Sequence, residues 1–549
     1  MPKVTIARGP RDRDFRHMVS DARAEQSAEH GDQDSSLRTM ILKPRELAAA
    51  ILVAAVVGVV FPYAILHLGF GPNVSIVSTL LGFVILTATG GRGRRALHLA
   101  HAAGVAAGQT AFMGVALAAF AILRARDPIR FTLHPSALTV FAWTASAGAL
   151  GVLAALPFRR HYIDVEKLSF AAGAAAAETI VALEDRGKGS RRQVATLAAS
   201  FLGSVGFTCF HPASLAISPL GIGSGMLIGV RVASSMALGC LAARVIPAAL
   251  LPWIASSLVV SGGLTMALAR VPTIVRSLRA PGPVRPSPRS RLPMVAACGA
   301  MLVLCAVDSL ALHLSVPMTF ASVALAAPLL LIGTRVLGET NWAPVVSLAT
   351  VAQAVLASID PCNLAGTIVG GALCGAIPNG GQHMMQSFRA ASIVGACERA
   401  TAAAQLVGVV VGALALSVTY PVLAARQGIA SPLSEAWATS AEALSRGPSA
   451  LPHAVAVAIA VAALAGAALA LLERRFGRAL PSAPALGIGM LVPWGLATGV
   501  LAGSFATWLA ARYAPRATTS HGAAVASGLV AGEALTACAM AAVRTTLSR

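Results

Sequence analysis

Stretches of apolar sequence too long for the interior of a soluble domain recur along this chain: Glu46 to Leu68, Ala96 to Leu123, Met294 to Leu314, Ala454 to Leu472 and Ala523 to Val543. Each approaches or exceeds the roughly 20 residues that cross a bilayer as helix, where backbone polar groups must be paired within the segment. Hydrophobic residues make up 56% of the 549 positions and charged ones 12%, and mean hydropathy is +0.74. The chain therefore reads as an all-α polytopic membrane protein. The pattern marks about fourteen candidate spans, within bounds of about 12 and 16.

A net charge of +20 raises the question of nucleic acid. The Lys and Arg residues, however, sit in short loops and in the first 45 residues, the distribution that orients membrane helices rather than binding a polyanion. Residues 1–45 mix nine Lys/Arg with seven Asp/Glu and lack an apolar core, which predicts a disordered cytoplasmic tail and no cleavable signal. Cys209, Cys240, Cys298, Cys305, Cys362, Cys374, Cys397 and Cys538 are scattered singly. That spacing predicts small buried hydrophobes, with neither a disulfide framework nor a metal site, and no cofactor is expected.

A Pro- and Arg-rich linker at residues 271–293 separates a first transmembrane half, 46–270, from a second, 294–549. The halves look related. Gly223, Gly225, Met226, Leu227 and Gly239 reappear 264 residues later as Gly487, Gly489, Met490, Leu491 and Gly503. His101 to Gly108 resembles Asn363 to Gly370, Glu178 matches Glu442, and Asn73 matches Asn341 at nearly the same offset. Matches in one order at one offset predict an internal duplication. In the first half the loops at Arg92 to Arg95, Arg159 to Lys167 and Arg186 to Arg192 are basic. In the second, Gln353 to Asn363 and Tyr420 to Leu451 are poor in base while Arg474, Arg475 and Arg478 cluster. The basic side swaps, as in an inverted-topology repeat. With tail and linker both cytoplasmic, the spans before Arg270 come out at the wrong parity. Leu168 to Leu183 and its counterpart Leu433 to Leu444 are short enough to be re-entrant.

Several polar residues stand in apolar surroundings. Gly338-Glu339-Thr340-Asn341 puts a carboxylate and an amide at the junction of two apolar runs. There Glu339 could bind a substrate ammonium or a coupling proton and Asn341 a peptide-like ligand; the competing reading is a helix end satisfied at the headgroups. Glu533 has no cation in sequence reach and is either a titrating group or a neutral acid bonded within the bundle. Asp308 has the same two readings. Arg231 could receive a carboxylate or pair with a buried acid. Glu178, Glu442, Gln109, Asn379, Gln382, His383 and Gln386 are further polar candidates, a lone histidine such as His383 being more often a satisfied ring. No metalloprotease, phosphate-loop or nucleophile-elbow signature occurs, so an ion gradient is the expected energy source.

Six segments in order now carry a resemblance: Leu156-Pro157-Phe158-Arg159-Arg160 leading to Glu166-Lys167-Leu168-Ser169-Phe170 and Glu178; Ser218-Pro219-Leu220-Gly221-Ile222-Gly223; Pro272 to Ser277; Gly338-Glu339-Thr340-Asn341; Pro481 to Met490; and Ser527 to Glu533. From about Glu46 to Arg544 the chain resembles the oligopeptide transporter family, which includes the yellow-stripe-like transporters of metal chelates. The resemblance implies proton-coupled uptake of small peptides across a bacterial inner membrane, with Glu339, Asn341, Glu178 and Glu533 on family motif positions. The chain departs from the family pattern at Ala171 to Ala177, where relatives carry hydroxyl-rich sequence, and beside Gln386, where Ser387 and Arg389 replace an acid and a lysine.

The reading that follows is a secondary transporter of small oligopeptides, the zwitterion's ammonium meeting Glu339 and its carboxylate meeting Arg231, Arg389 or helix N-terminal amides. The alternatives are transport of metal chelates or other amino-acid-derived molecules, and, from another class, a membrane-embedded enzyme built on Asp308 and Glu533. Expected partners are the substrate, protons and lipid, with no nucleic acid; homo-oligomerisation is left open.

Overall fold

A computed structural model describes residues 43–68, 74–129, 131–185, 187–210, 217–279, 291–361, 363–424, 432–447 and 451–547. The expected tail, Asn73, Cys362 and the middle of the linker lie outside these residues. No strand occurs among the described residues.

The first half of the chain forms α1 (Pro44–Leu68), α2 (Val74–Ala88), α3 (Arg94–Thr110), α4 (Met113–Arg126), α5 (Ala137–Ala155), α6 (Ala171–Glu184), α7 (Lys188–Phe210), α8 (Pro219–Leu227), α9 (Val230–Ala242) and α10 (Leu251–Leu268). A short α11 (Val271–Arg279) follows. Then come α12 (Leu292–Ala311), α13 (Val316–Thr340), α14 (Val345–Ile359), α15 (Leu364–Val394), α16 (Glu398–Ala424), α17 (Pro432–Leu444), α18 (His453–Phe476), α19 (Ala483–Leu491), α20 (Trp494–Tyr513) and α21 (Pro515–Leu547). Start signals are local. Ser136 accepts a bond from the Thr139 amide at the head of α5, Ser218 from the Gly221 amide ahead of Pro219 on α8, and Asn363 from the Gly366 amide on α15.

Among the described residues ten helices are long and apolar enough to cross a membrane, α3 and α4 counting as one broken span, and α2, α9 and α14 are shorter apolar helices. The count of about fourteen expected from sequence is not confirmed by these helices. Broken helices divide the apolar content into shorter pieces. The two segments expected to be re-entrant are helices of 14 and 13 residues, α6 and α17. At about 1.5 Å per residue neither reaches across the ~30 Å of hydrocarbon.

Packing repeats with the halves exchanged. α7 lies on α21 and α18 on α10; α8 lies on α20 and α19 on α9; α3 lies on α16 and α15 on α5; α4 lies on α17 and α15 on α6. The closest approaches repeat too. A Cβ on Gly225 would collide with the Val500 carbonyl, and one on Gly489 with that of Met236; Gly503 meets Ile222 in the same way, and Gly239 meets Leu486. Only glycine lets backbones come this near. α12 stands apart from this scheme, burying only Leu304 and Asp308 along its length.

Candidate functional site

The Gly-Glu-Thr-Asn tetrapeptide closes α13, and its first and last residues are docked on the segment around the start of α6. The carbonyl of Gly338 accepts from Ser169 Oγ at 2.7 Å and from the Phe170 amide at 3.3 Å. A side chain on Gly338 would approach Leu168 Cδ1 to 2.7 Å. Asn341 takes the left-handed conformation at φ 61°, which asparagine tolerates, and its Oδ1 accepts from the Ala172 amide at 2.8 Å. The amide thus caps α6 from another helix end.

Glu339 is not an isolated acid. Its Oε1 lies 2.6 Å from Nη2 of Arg335, one helical turn earlier, and its side chain is 21% exposed. Arg335 also holds Oε2 of Glu166 at 2.6 Å, while Oε1 of Glu166 meets Arg270 at 3.0 Å and His161 Nε2 at 3.0 Å. Burial pushes the Glu166 carboxyl upward, but the His161 hydrogen bond and the Arg335 and Arg270 guanidiniums outweigh it and hold it below the usual carboxylate range. Arg335 escaped sequence reading, although its spacing of four from Glu339 is the helical ion-pair signal.

A cavity of about 160 Å³ opens on the other side of Asn341. Its wall draws on both halves of the chain: Gln109 of α3, Ser224 of α8, Asn341, Trp342 and Ser347 around the start of α14, Asn379, His383 and Gln386 of α15, with Ile65, Leu337, Val74, Val345, Ile488 and Leu491 as apolar lining. Gln109 and Asn379 each stand near an interruption of their helix: the break between α3 and α4, and Pro378 in α15. Asn379 Nδ2 donates to the Gln109 backbone carbonyl at 3.3 Å. Gln386 Oε1 accepts from Ser75 Oγ at 3.2 Å and from His383 Nδ1 at 3.0 Å. Phe112, also on the wall, is backed edge-on by the buried Trp437 of α17 with ring centroids 5.5 Å apart.

Of the candidates from sequence, Asn341, Gln386, Gln109, Asn379 and His383 line this cavity, and Glu339, Glu178, Glu533, Arg231 and Arg389 do not. Glu533 caps α8: its carboxylate accepts from Ser218 Oγ at 3.0 and 3.1 Å and from the Leu220 amide at 2.7 Å, a favourable seat at a helix N-terminus. Arg231 pairs with Glu473 at 2.5 Å and donates through Nε to the Leu480 carbonyl at 2.8 Å, the structural option of its two readings. Glu178 is exposed on α6 and faces Arg389 of α15 electrostatically; Arg389 Nε is buried without a hydrogen bond. Glu442, the counterpart of Glu178, likewise faces an arginine, pairing with Arg126 at 3.1 Å beside Glu435. Asp308 accepts from Thr319 at 2.9 Å, so the two deep acids considered for an enzyme serve separate partners. Gln109, Asn379 and His383 were legible as polar residues in apolar sequence, yet nothing in their local sequence marks them as one site. The repeat does, since it sets α3 against α15.

The family model for oligopeptide transporter proteins matches residues 42–262 and 286–543, most of the chain. No curated protein matches it.

Proposed function

The chain belongs to the oligopeptide transporter family, and from that premise we propose that it is a secondary active transporter whose substrate sits in the cavity between the two halves. The observation that carries this reading is Gln109: its side chain, on the cavity wall, has both amide atoms buried and without a partner. A buried carboxamide left with donor and acceptor unmet is costly, and a peptide supplies both groups.

In this reading the halves form an inverted repeat that rocks about the cavity, exposing it to each side in turn. The reciprocal glycine contacts of α8 and α9 with α19 and α20 supply the closely packed crossing about which such a motion turns. Protons crossing a bacterial inner membrane drive uptake, which the lack of a nucleotide-binding signature supports. His383 is the titratable side chain that lines the cavity among the described residues. A metal chelate fits less well. Most chelates carry charge, and the cavity wall has no Asp, Glu, Lys or Arg among the described residues.

Uptake of a labelled peptide into proteoliposomes under an imposed pH gradient tests the reading. Gln109→Leu and Asn379→Leu should each lower uptake by about ten-fold, the equivalent of one lost hydrogen bond to substrate. Wild-type rates in both variants would remove the cavity from consideration. Uptake that is indifferent to the gradient would remove the coupling.

A further inference from the structure

The cavity differs from what a free peptide requires. A linear peptide carries an ammonium and a carboxylate, and each must find an opposite charge once removed from water. The carboxylate and guanidinium groups suited to that task are engaged elsewhere: Glu339 with Arg335, Arg231 with Glu473, Glu533 with the N-terminus of α8. Glu178 and Arg389 face one another outside the lining. What the wall does offer is neutral. Gln109 is 6% exposed with neither Oε1 nor Nε2 bonded, and Asn379 is 3% exposed with Oδ1 unbonded. Ser224 and Ser347 add hydroxyls. A carboxamide presents a donor and an acceptor side by side and is matched at both atoms by another amide.

We propose, resting on the cavity as the substrate site, that its ligand is an uncharged amide: a cyclic dipeptide or a short peptide blocked at both ends, and not the zwitterion. The ring of a cyclic dipeptide carries N–H and C=O on one edge of each amide, the arrangement one carboxamide engages with both its atoms. Its compactness suits the space. A cavity of about 160 Å³ is close to the roughly 150 Å³ that takes one benzene, which favours a compact ligand over an extended tetrapeptide. Trp342 and Phe112, with Leu337 and Ile488, give the apolar surface on which its side chains rest.

Binding to the purified full-length chain in lipid nanodiscs, read by calorimetry, separates the alternatives. The probes are cyclic alanyl-leucine, linear alanyl-leucine, and alanyl-leucine acetylated and amidated at its ends. Replacing an unsatisfied buried amide by an apolar group of similar size is close to neutral for folding, so Gln109→Leu should elute and melt like the parent, while Asn379→Leu, which gives up its bond to the Gln109 carbonyl, should elute like the parent and melt somewhat below it. The cyclic and blocked probes should bind at least about ten-fold more tightly than the linear one, and Gln109→Leu should erase about ten-fold of that affinity. Tighter binding of the linear zwitterion, still weakened by Gln109→Leu, would overturn the neutral ligand while leaving the cavity as the site. No binding of either neutral probe to the parent would also overturn it. Affinities untouched by both substitutions would overturn the cavity itself, and the inference with it.

Discussion

Nη1 of Arg335, in the last turns of α13, lies 2.6 Å from Oε2 of Glu166, in the turn that joins α5 to α6, and both side chains are nearly closed to solvent. Sequence places them 169 residues apart. Together with Ser169, Phe170 and Ala172, which bond to Gly338 and Asn341, the pair fixes the end of α13 on the start of α6. Asn341 is part of the cavity wall, so this junction sets one side of the site.

Glu166→Gln should therefore be among the more damaging conservative changes in the chain. It leaves the buried Arg335 with Glu339 alone and the half-exposed Arg270 facing an uncharged amide, so the loss should lie between the ~1 kcal/mol of an exposed pair and the ~3–5 kcal/mol of a buried charge left uncompensated. The thermal unfolding midpoint in detergent checks this. A loss below about 1 kcal/mol, the scale of an exposed pair, would show the junction to be held by the backbone bonds alone.

Acid should act through the same carboxylate. Because Glu166 is held below the usual carboxylate range in the folded chain, its contribution is complete above the unfolded value. It is lost as pH falls through the folded one. Stability should decline between about pH 5 and lower values, and the decline should be shallower in Glu166→Gln, which has no proton to take up. Equal acid slopes in the two proteins would assign the effect to other groups.

Glu339→Gln should behave differently. Its carboxylate is partly exposed, Arg335 keeps Glu166 when it is neutralised, and it does not line the cavity. The expected loss is about 1 kcal/mol or less, with substrate affinity changed by no more than about two-fold. A loss of binding with unchanged stability would return Glu339 to the role that sequence suggested for it.

The fold class was legible because bilayer thickness is written into run length, and the runs of α1, α12 and α18 needed no tertiary information. The site was legible only in part. Asn341 stood out as an amide at a helix junction and Gln386 as a polar residue in apolar sequence, whereas the charged candidates do not line the cavity: a charge in apolar sequence advertises itself whether it meets substrate or protein. Arg231 and Glu473 lie on helices far apart in sequence, and Glu533 finds its partners in a helix terminus, which no spacing rule connects to it. Gln109 and Asn379 are quieter by composition. What brings them together is the crossing of α3 and α15, a long-range contact.

The repeat itself yields the most symmetric prediction. Gly225 on α8 abuts the Val500 carbonyl of α20, and Gly489 on α19 abuts the Met236 carbonyl of α9; each glycine and each carbonyl is the other's counterpart at an offset of 264. Adding a methyl group at either place forces two helices apart against a backbone atom that cannot rotate away, an overpacking cost of about 1–3 kcal/mol or more. Gly225→Ala and Gly489→Ala should thus lower the unfolding midpoint by similar amounts. Gly203 on α7, which has open space where a Cβ would lie, should accept alanine without loss and serves as the control, since alanine is favoured over glycine in a helix by about 1 kcal/mol. If Gly225→Ala proved costly and Gly489→Ala harmless, the two crossings would not be equivalent, and a transport motion that rocks one half against its twin about both of them would lose its physical basis.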